Sequence, residues 1–252
     1  EIQYCDWSSD VCSSDLWRGD RSIMSISKEM RDRHTVRRYT TEPLLESTAT
    51  QLNERVRRLN EEHATDIRLV RGDSSCLNLL AKLFLSKNVR NYLVMAGTDG
   101  PGIEERLGWC GADLMLFAQE LGLNSWFVGG TYSPKRAARA AGVNGKIVGV
   151  IALGYGTTQG VPHKSKAASE VSSYAGTAPA WFTEGVEAAL LAPTAMNRQA
   201  FHIDGAGDKV SLKYDNGPCS NVDRGIVTYY FEAGAGRENF SWGSVLDRKS
   251  VV

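Results

Sequence analysis

The chain has 252 residues, with 29 lysines and arginines against 29 aspartates and glutamates. That balance leaves no global field to draw the protein to nucleic acid or to an anionic membrane surface. No apolar run approaches the roughly 20 residues of a membrane-spanning helix, and no signal-peptide pattern is visible.

Both ends read as foreign to the fold. "DWSSDVCSSDL" (Asp6–Leu16) and "DRKSVV" (Asp247–Val252) each back-translate into short-read sequencing-adapter DNA, so residues 1–16 and 247–252 are expected to be translated adapter, with Met24 a natural start. Cys5 and Cys12 fall in the first stretch. Cys76, Cys110 and Cys219 remain, with neither a CxxC nor the His spacing of a zinc site, and an odd, scattered set reads as reduced thiols in a cytoplasmic protein. The body, about 230 residues, suffices for one large domain or two small ones.

In "ESTATQLNERVRRLNEEH" (46–63), Leu52, Val56 and Leu59 share one helical face among charges, and "DIRLVRG" (66–72) and "NYLVMAG" (91–97) then read as short strands. The glycine-rich "GTDGPGIEERLG" (97–108) reads as a lid. "GADLMLFAQELGL" (111–123) predicts a helix with Leu114, Phe117, Ala118 and Leu121 in a wide apolar stripe and Gly122 at its end. "SWFVGG" (125–130) is a strand closing on two glycines, and "KIVGVIALGY" (146–155) has the continuous apolar run of a strand buried on both faces. The middle of 163–179 is small, polar and breaker-rich, which predicts a linker at 167–179 between a first half (24–166) and a second (180–246). The second half predicts a helix over 181–192, stopped by Pro193, then a hairpin from "AFHIDG" (200–205) and "KVSLKY" (209–214). A last helix follows in "DRGIVTYYFEAGA" (223–235), with Ile226, Tyr230 and Ala233 on one side. Such a half is too thin for its own core and should pack on the first.

Four stretches carry chemistry. "RDRHTVRRYT" (31–40) gathers four arginines, a histidine and two threonine hydroxyls, which suits a phosphate because guanidinium forks bind its oxygens in pairs. From the charges alone a solvated basic helical face fits as well. The two glycines of "LGLNSWFVGG" (121–130) let a backbone approach a planar ligand and offer bare amide donors, though a tight turn needs them too. "HKSK" (163–166) adds two cations. "APTAMNRQAF" (192–201) follows a helix with a hydroxyl and two side-chain amides, Thr194, Asn197 and Gln199, where an ordinary turn would use Gly, Asp or Pro. Cys110, beside Trp109, has no adjacent base and reads as packed; no metal constellation is present.

Together these stretches resemble the flavin-dependent nitroreductase superfamily over most of 28–236. The resemblance implies an α+β fold with a mixed central sheet flanked by helices. It also implies bound FMN, with NADH or NADPH as hydride donor and a small electron acceptor of nitroaromatic or quinone type, reduced in a ping-pong cycle. Arg33, His34, Thr35 and Arg37 would stand for the family's Arg-x-Ser-x-Arg pattern, and Lys164 and Lys166 for its basic phosphate ligands. Phe127, Val128, Gly129 and Gly130 match the stretch that turns backbone amides to the reactive flavin nitrogen; no protein nucleophile is implied. Trp126, Phe127 or Tyr132 would form part of the acceptor's wall. Pro193, Thr194, Ala195, Asn197 and Gln199 match the "APSxxNxQPW" motif, with Ala200 and Phe201 in place of its Pro-Trp. In ordinary members that motif reaches the partner subunit's flavin a few tens of residues after the basic motif; here the separation is about 160 residues. This resembles the single-chain branch, whose second half stands in for the partner, so a monomer with an internal pseudo-dimer is expected. Reductive dehalogenation, flavin breakdown or non-catalytic flavin binding on the same fold are the alternatives.

Overall fold

The computed structural model describes residues 26–78 and 84–243. The expected adapter segments and the expected start at Met24 lie outside these residues. Helix α1 (Lys28–Asp32) starts at Ser27, whose hydroxyl accepts the Met30 N–H at 3.3 Å. Helix α2 (Glu46–His63) buries Leu52, Val56 and Leu59 as their spacing predicts, and Ala64, at φ 49°, turns the chain out of it. Strands β1 (Arg68–Val70), β2 (Asn91–Gly97), β3 (Asn124–Val128) and β4 (Lys146–Gly154) form one antiparallel sheet in the order β1-β2-β4-β3. Beyond β3 the chain from Thr35 lies parallel to it, with the Val36 N–H donating to the Ser125 carbonyl at 3.0 Å.

Alternate residues of β2 face opposite sides. Leu93 and Met95 pack toward α3 (Ile103–Glu120), while Tyr92, Val94 and Ala96 join Val36, Tyr39, Trp126 and Val150 in a second apolar cluster. Ala137 of α4 (Pro134–Ala141) belongs to that second cluster. The second half comprises α5 (Ala168–Val171), β5 (Ser172–Tyr174), α6 (Ala180–Leu190), β6 (Phe201–Ala206), β7 (Lys209–Tyr214), α7 (Ser220–Ala235) and β8 (Ser241–Trp242). Its sheet runs β5-β6-β7-β8, with β6 and β7 as the expected hairpin and the two outer strands parallel to their neighbours. The α+β class expected from the sequence holds, the strands dividing between an antiparallel sheet and a mixed one.

Two sequence expectations need correcting. The second half of the proposed lid is helix: α3 begins at Ile103, and Gly108 lies inside it against the Val222 backbone of α7. The proposed linker at 167–179 contains α5 and β5. Val171 is fully buried, and the Tyr174 ring meets Phe182 edge-on at 4.8 Å, so this stretch has an apolar anchor despite its small, polar composition.

The second half does pack on the first. One apolar cluster runs from Leu52, Leu107 and Leu114 to Phe182, Ile203, Ile226 and Phe231. At the α3–α7 crossing the backbones nearly touch: a Cβ on Gly225 would lie 1.9 Å from the Glu105 carbonyl oxygen. Arg55 of α2 forms a two-pronged ion pair with Asp113 of α3, and the Tyr229 hydroxyl of α7 donates to the same carboxylate at 3.1 Å. No helix among the described residues is long and apolar enough to cross a membrane.

Candidate functional site

Arg33 ends α1 and is 3 % exposed. Its Nε donates to the Tyr230 hydroxyl of α7 at 3.1 Å, and among the described residues it has no carboxylate partner. A buried guanidinium without a counter-charge is costly, so the position favours an anion. His34 lies against Gly160, and burial, then the charge of Arg33, holds its pKa below the usual histidine value. Thr35 pairs with Ser125 of β3, whose buried hydroxyl has no hydrogen-bond partner among the described residues. Arg37 is exposed, with its guanidinium 5.3 Å over the Trp126 ring.

The amide loop after α6 is tied to the basic segment before α5. Gln199 is 1 % exposed; its Oε1 accepts the Lys166 N–H at 2.8 Å, and its Nε2 donates to the Leu190 carbonyl at 3.0 Å. Ser165 Oγ donates to the same carbonyl at 3.2 Å, and His163 Nε2 lies 2.9 Å from it. A helix's last carbonyls lack partners within the helix, and here side chains supply them. Lys166 Nζ donates to the Gln199 carbonyl at 2.9 Å, and Asn197 Nδ2 to the Lys164 carbonyl at 2.7 Å. The Lys164 ammonium has no partner among the described residues. Gln199 is therefore a bracket between two segments, its side-chain amide fully occupied, whereas the motif had suggested a cofactor ligand.

The loop is also strained. Met196 (φ 54°), Asn197 (φ 53°) and Gln199 (φ 45°) are all left-handed, a conformation that costs roughly 1–2 kcal/mol at an ordinary residue and less at asparagine. Met196 is 80 % exposed. Within the loop the Gln199 N–H donates to Thr194 Oγ1 at 3.1 Å and the Asn197 N–H to the Thr194 carbonyl at 2.9 Å. Pro193 and Ala195 are half-buried, and the Ala195 N–H donates to Asp223 of α7 at 2.9 Å.

At the far end of β3, Gly129 and Gly130 face open space except on one side. A Cβ on Gly130 would meet nothing within 4 Å, and one on Gly129 would meet only Cys219 Sγ, at 2.9 Å. Val128 is buried, and the partly buried Phe127 ring lies against Gly111 and Gly149. Of the alternatives for the acceptor wall, Trp126 and Phe127 lie on opposite faces of β3, as adjacent strand residues do: Trp126 sits under Arg37, Phe127 toward α3. The Tyr132 hydroxyl is occupied by the Ile147 carbonyl at 2.9 Å.

Asp223 escaped the sequence reading because an aspartate in the first turn of a helix ordinarily serves the helix dipole at the surface. It is 5 % exposed, and its Oδ2 also accepts the Tyr214 hydroxyl at 3.1 Å. Burial pushes its carboxyl up to about 6, against the lowering effect of the Ala195 N–H, the Tyr214 hydroxyl and the Arg198 charge. A folded pKa above the unfolded one means that the proton favours folding. The contribution is complete below about pH 4 and disappears as pH rises through about 6. Between pH 4 and 7 the wild-type chain should therefore lose roughly 3 kcal/mol relative to Asp223→Asn, two pKa units at about 1.4 kcal/mol each. Urea unfolding of both proteins across that range measures the difference, and a constant difference would contradict the assignment.

A family model described as "Putative TM nitroreductase" matches residues 25–235. The chain belongs to this nitroreductase family. A crystal structure of a putative nitroreductase from Thermotoga maritima is 18 % identical over 89 % of each chain, with a TM-score of 0.58, so the two share a fold. A putative nitroreductase from Exiguobacterium sibiricum in complex with FMN covers 60 % of this chain and 98 % of its own at 14 % identity and a TM-score of 0.47. An FMN-dependent nitroreductase from Clostridium difficile covers 57 % and 92 % at 15 % identity and a TM-score of 0.43. No curated protein matches the chain.

Contacts within the chain hold three of these motif segments. Arg33 and Thr35 are held by Tyr230 and β3, the lysine segment is held by the amide loop, and that loop is held by α7. A separate pocket between the N-terminal ends of α3 and α7, lined by Gly102, Glu104, Lys146 and Asn221, contains none of these groups. Among the described residues no cluster of His, Cys, Asp and Glu is placed to hold a metal ion, and Cys76, Cys110 and Cys219 form no disulfide.

Proposed function

We propose that this member of the nitroreductase family is an FMN-dependent NAD(P)H oxidoreductase. The observation that carries the reading is Arg33, a buried cation with no carboxylate partner among the described residues, in the motif that resembles the family's phosphate site. Bound FMN supplies the redox chemistry, carrying hydride from NADH or NADPH to a small nitroaromatic or quinone acceptor in a ping-pong cycle. Arg33, Lys164 and Lys166 hold the phosphate, with His34 beside them. Thr35, Thr194 and Asn197 take the ribityl chain or the ring edge, and Arg37 lies toward the pyrimidine edge, where positive charge favours the anionic reduced ring. Gly129, beside Cys219, and Gly130, in open space, offer backbone amides to the reactive nitrogen. Pro193 and Ala195 border the same ligand, whereas Gln199, its amide spent on Lys166 and Leu190, shapes the loop. Three thiols in no disulfide fit a cytoplasmic setting.

The test is chemical. Purified protein should release FMN, and not FAD, on denaturation, and NADH or NADPH oxidation should accelerate with nitrofurazone or a simple quinone. A chain that neither retains nor takes up FMN would sink the reading.

The same reading makes the site self-contained, the half at 180–246 serving the half at 24–166 as a built-in partner. Support comes from the bonds that tie the halves together, Arg33 to Tyr230 above all. One FMN per monomer is expected. Inactive Arg33→Ala and Asn197→Ala chains, unfolded and refolded together, should regain no flavin binding. Recovery would reveal exchange of loops between chains.

A further inference from the structure

We infer that Asp223, which no motif of the site includes, is a positioning residue: from α7 it fixes the amide loop in its left-handed shape before any ligand arrives. The inference rests on the flavin reading for its consequence, but its geometry stands in the chain alone. The loop has two anchored ends. At its far end Gln199 is bonded to Leu190 at the end of α6 and, with Asn197, to the lysine segment. At its near end the Ala195 N–H meets Asp223 Oδ2 at 2.9 Å, and that bond ties Thr194 and Ala195 to the helical core.

Asp223 is well placed to act as a fixed point. Its backbone N–H is bonded to the Cys219 carbonyl at 2.8 Å, its neighbours Val222 and Gly225 pack against the α3 backbone, and its Oδ2 is oriented by the Tyr214 hydroxyl of β7. Three left-handed residues follow Ala195 within four positions. Such a backbone persists only where its surroundings over-determine it. Releasing the near end would let Met196 and Asn197 relax toward ordinary conformations, carrying the Thr194 hydroxyl and the Asn197 amide away from the ligand. Asp223 thus acts through the loop and does not itself touch the flavin. The Asn side chain retains a carbonyl oxygen that can accept both hydrogen bonds, so Asp223→Asn should preserve the loop, whereas Asp223→Ala removes the acceptor.

The experiment compares full-length Asp223→Ala, Asp223→Asn and Ala195→Pro with the wild-type chain. Ala195 opens a single 3-10 turn, a position whose backbone tolerates proline, so Ala195→Pro deletes the donor and its ring displaces the Asp223 carboxylate from the loop. Flavin titrations should show FMN and riboflavin weakened alike, tenfold or more, in Asp223→Ala and Ala195→Pro, and by less than threefold in Asp223→Asn. The Asp223→Ala/Asn197→Ala double variant should bind no more weakly than the worse single variant, because both act through one loop; additive losses would indicate a general loss of stability instead. Hydrogen exchange of the Asn197 and Arg198 amides in the apoprotein should quicken at least tenfold in Asp223→Ala and stay near wild type in Asp223→Asn. Should the wild-type chain bind no flavin, the functional reading falls while the exchange rates still decide whether Asp223 holds the loop. Unchanged exchange and unchanged flavin affinity in Ala195→Pro would overturn the inference even if Asp223→Ala fails to fold.

Discussion

Replacing Gly225 with alanine is expected to destabilise the chain by at least about 3 kcal/mol, the upper range for overpacking a core. The methyl group would sit 1.9 Å from the Glu105 carbonyl oxygen and 2.8 Å from the Trp109 nitrogen, both backbone atoms of α3 that no side-chain rotation can move. Helix propensity pulls the other way, since glycine to alanine inside a helix ordinarily gains about 1 kcal/mol. A large loss would therefore isolate the close crossing of α3 and α7 as its cause. Gly130→Ala is the control: nothing lies within 4 Å of the new methyl, so stability should stay within about 0.5 kcal/mol of wild type. Urea unfolding followed by circular dichroism reads both. A Gly225→Ala protein within about 1 kcal/mol of wild type would mean that the two helices are free to move apart, and that the halves are joined by something other than this crossing.

What the sequence revealed follows the strength of its local signals. Helix α2 and strands β6 and β7 are legible because their apolar residues keep a helical or alternating period, and β2 because it is a short continuous apolar run, buried along its whole length. Strand β5 was missed because Ser172–Tyr174 shows no alternation of apolar and polar residues; it is defined by pairing with β6, about 30 residues away, and by the Tyr174 ring. Helix α4 had readable punctuation, Ser133 and Pro134 at its start and Gly142 at its end, but its alanines and basic residues conceal the single buried face at Ala137. In the site, residue types were legible and roles were not. Lys164, Asn197 and Gln199 announce hydrogen bonding; that Gln199 spends its amide on a neighbouring segment depends on where α6 ends in space. Tyr230 was placed on the packing face of its helix, and nothing local signals that its hydroxyl would meet Arg33 across 197 residues of chain.

Arg33→Met should separate binding from folding. If the buried guanidinium serves a phosphate, its loss should weaken FMN by roughly 1.5–3 kcal/mol, the range for a hydrogen bond to a charged group, and leave riboflavin nearly indifferent. Apoprotein stability should not follow. In the apoprotein the cation is 3 % exposed and, among the described residues, satisfied only by the Tyr230 hydroxyl, so removing it relieves a desolvation cost while orphaning one hydroxyl. Arg33→Met/Tyr230→Phe removes both partners and should equal or exceed wild-type stability, because replacing both members of a buried polar pair by apolar groups of similar shape is close to neutral. A residue that served the fold alone would show the reverse pattern: lower melting temperatures in both variants, and equal losses for FMN and riboflavin. Titration calorimetry with the two ligands, set beside thermal unfolding of the ligand-free proteins, distinguishes these outcomes. The opposed signs, weaker FMN with an undiminished apoprotein, are what a site kept charged for its ligand requires.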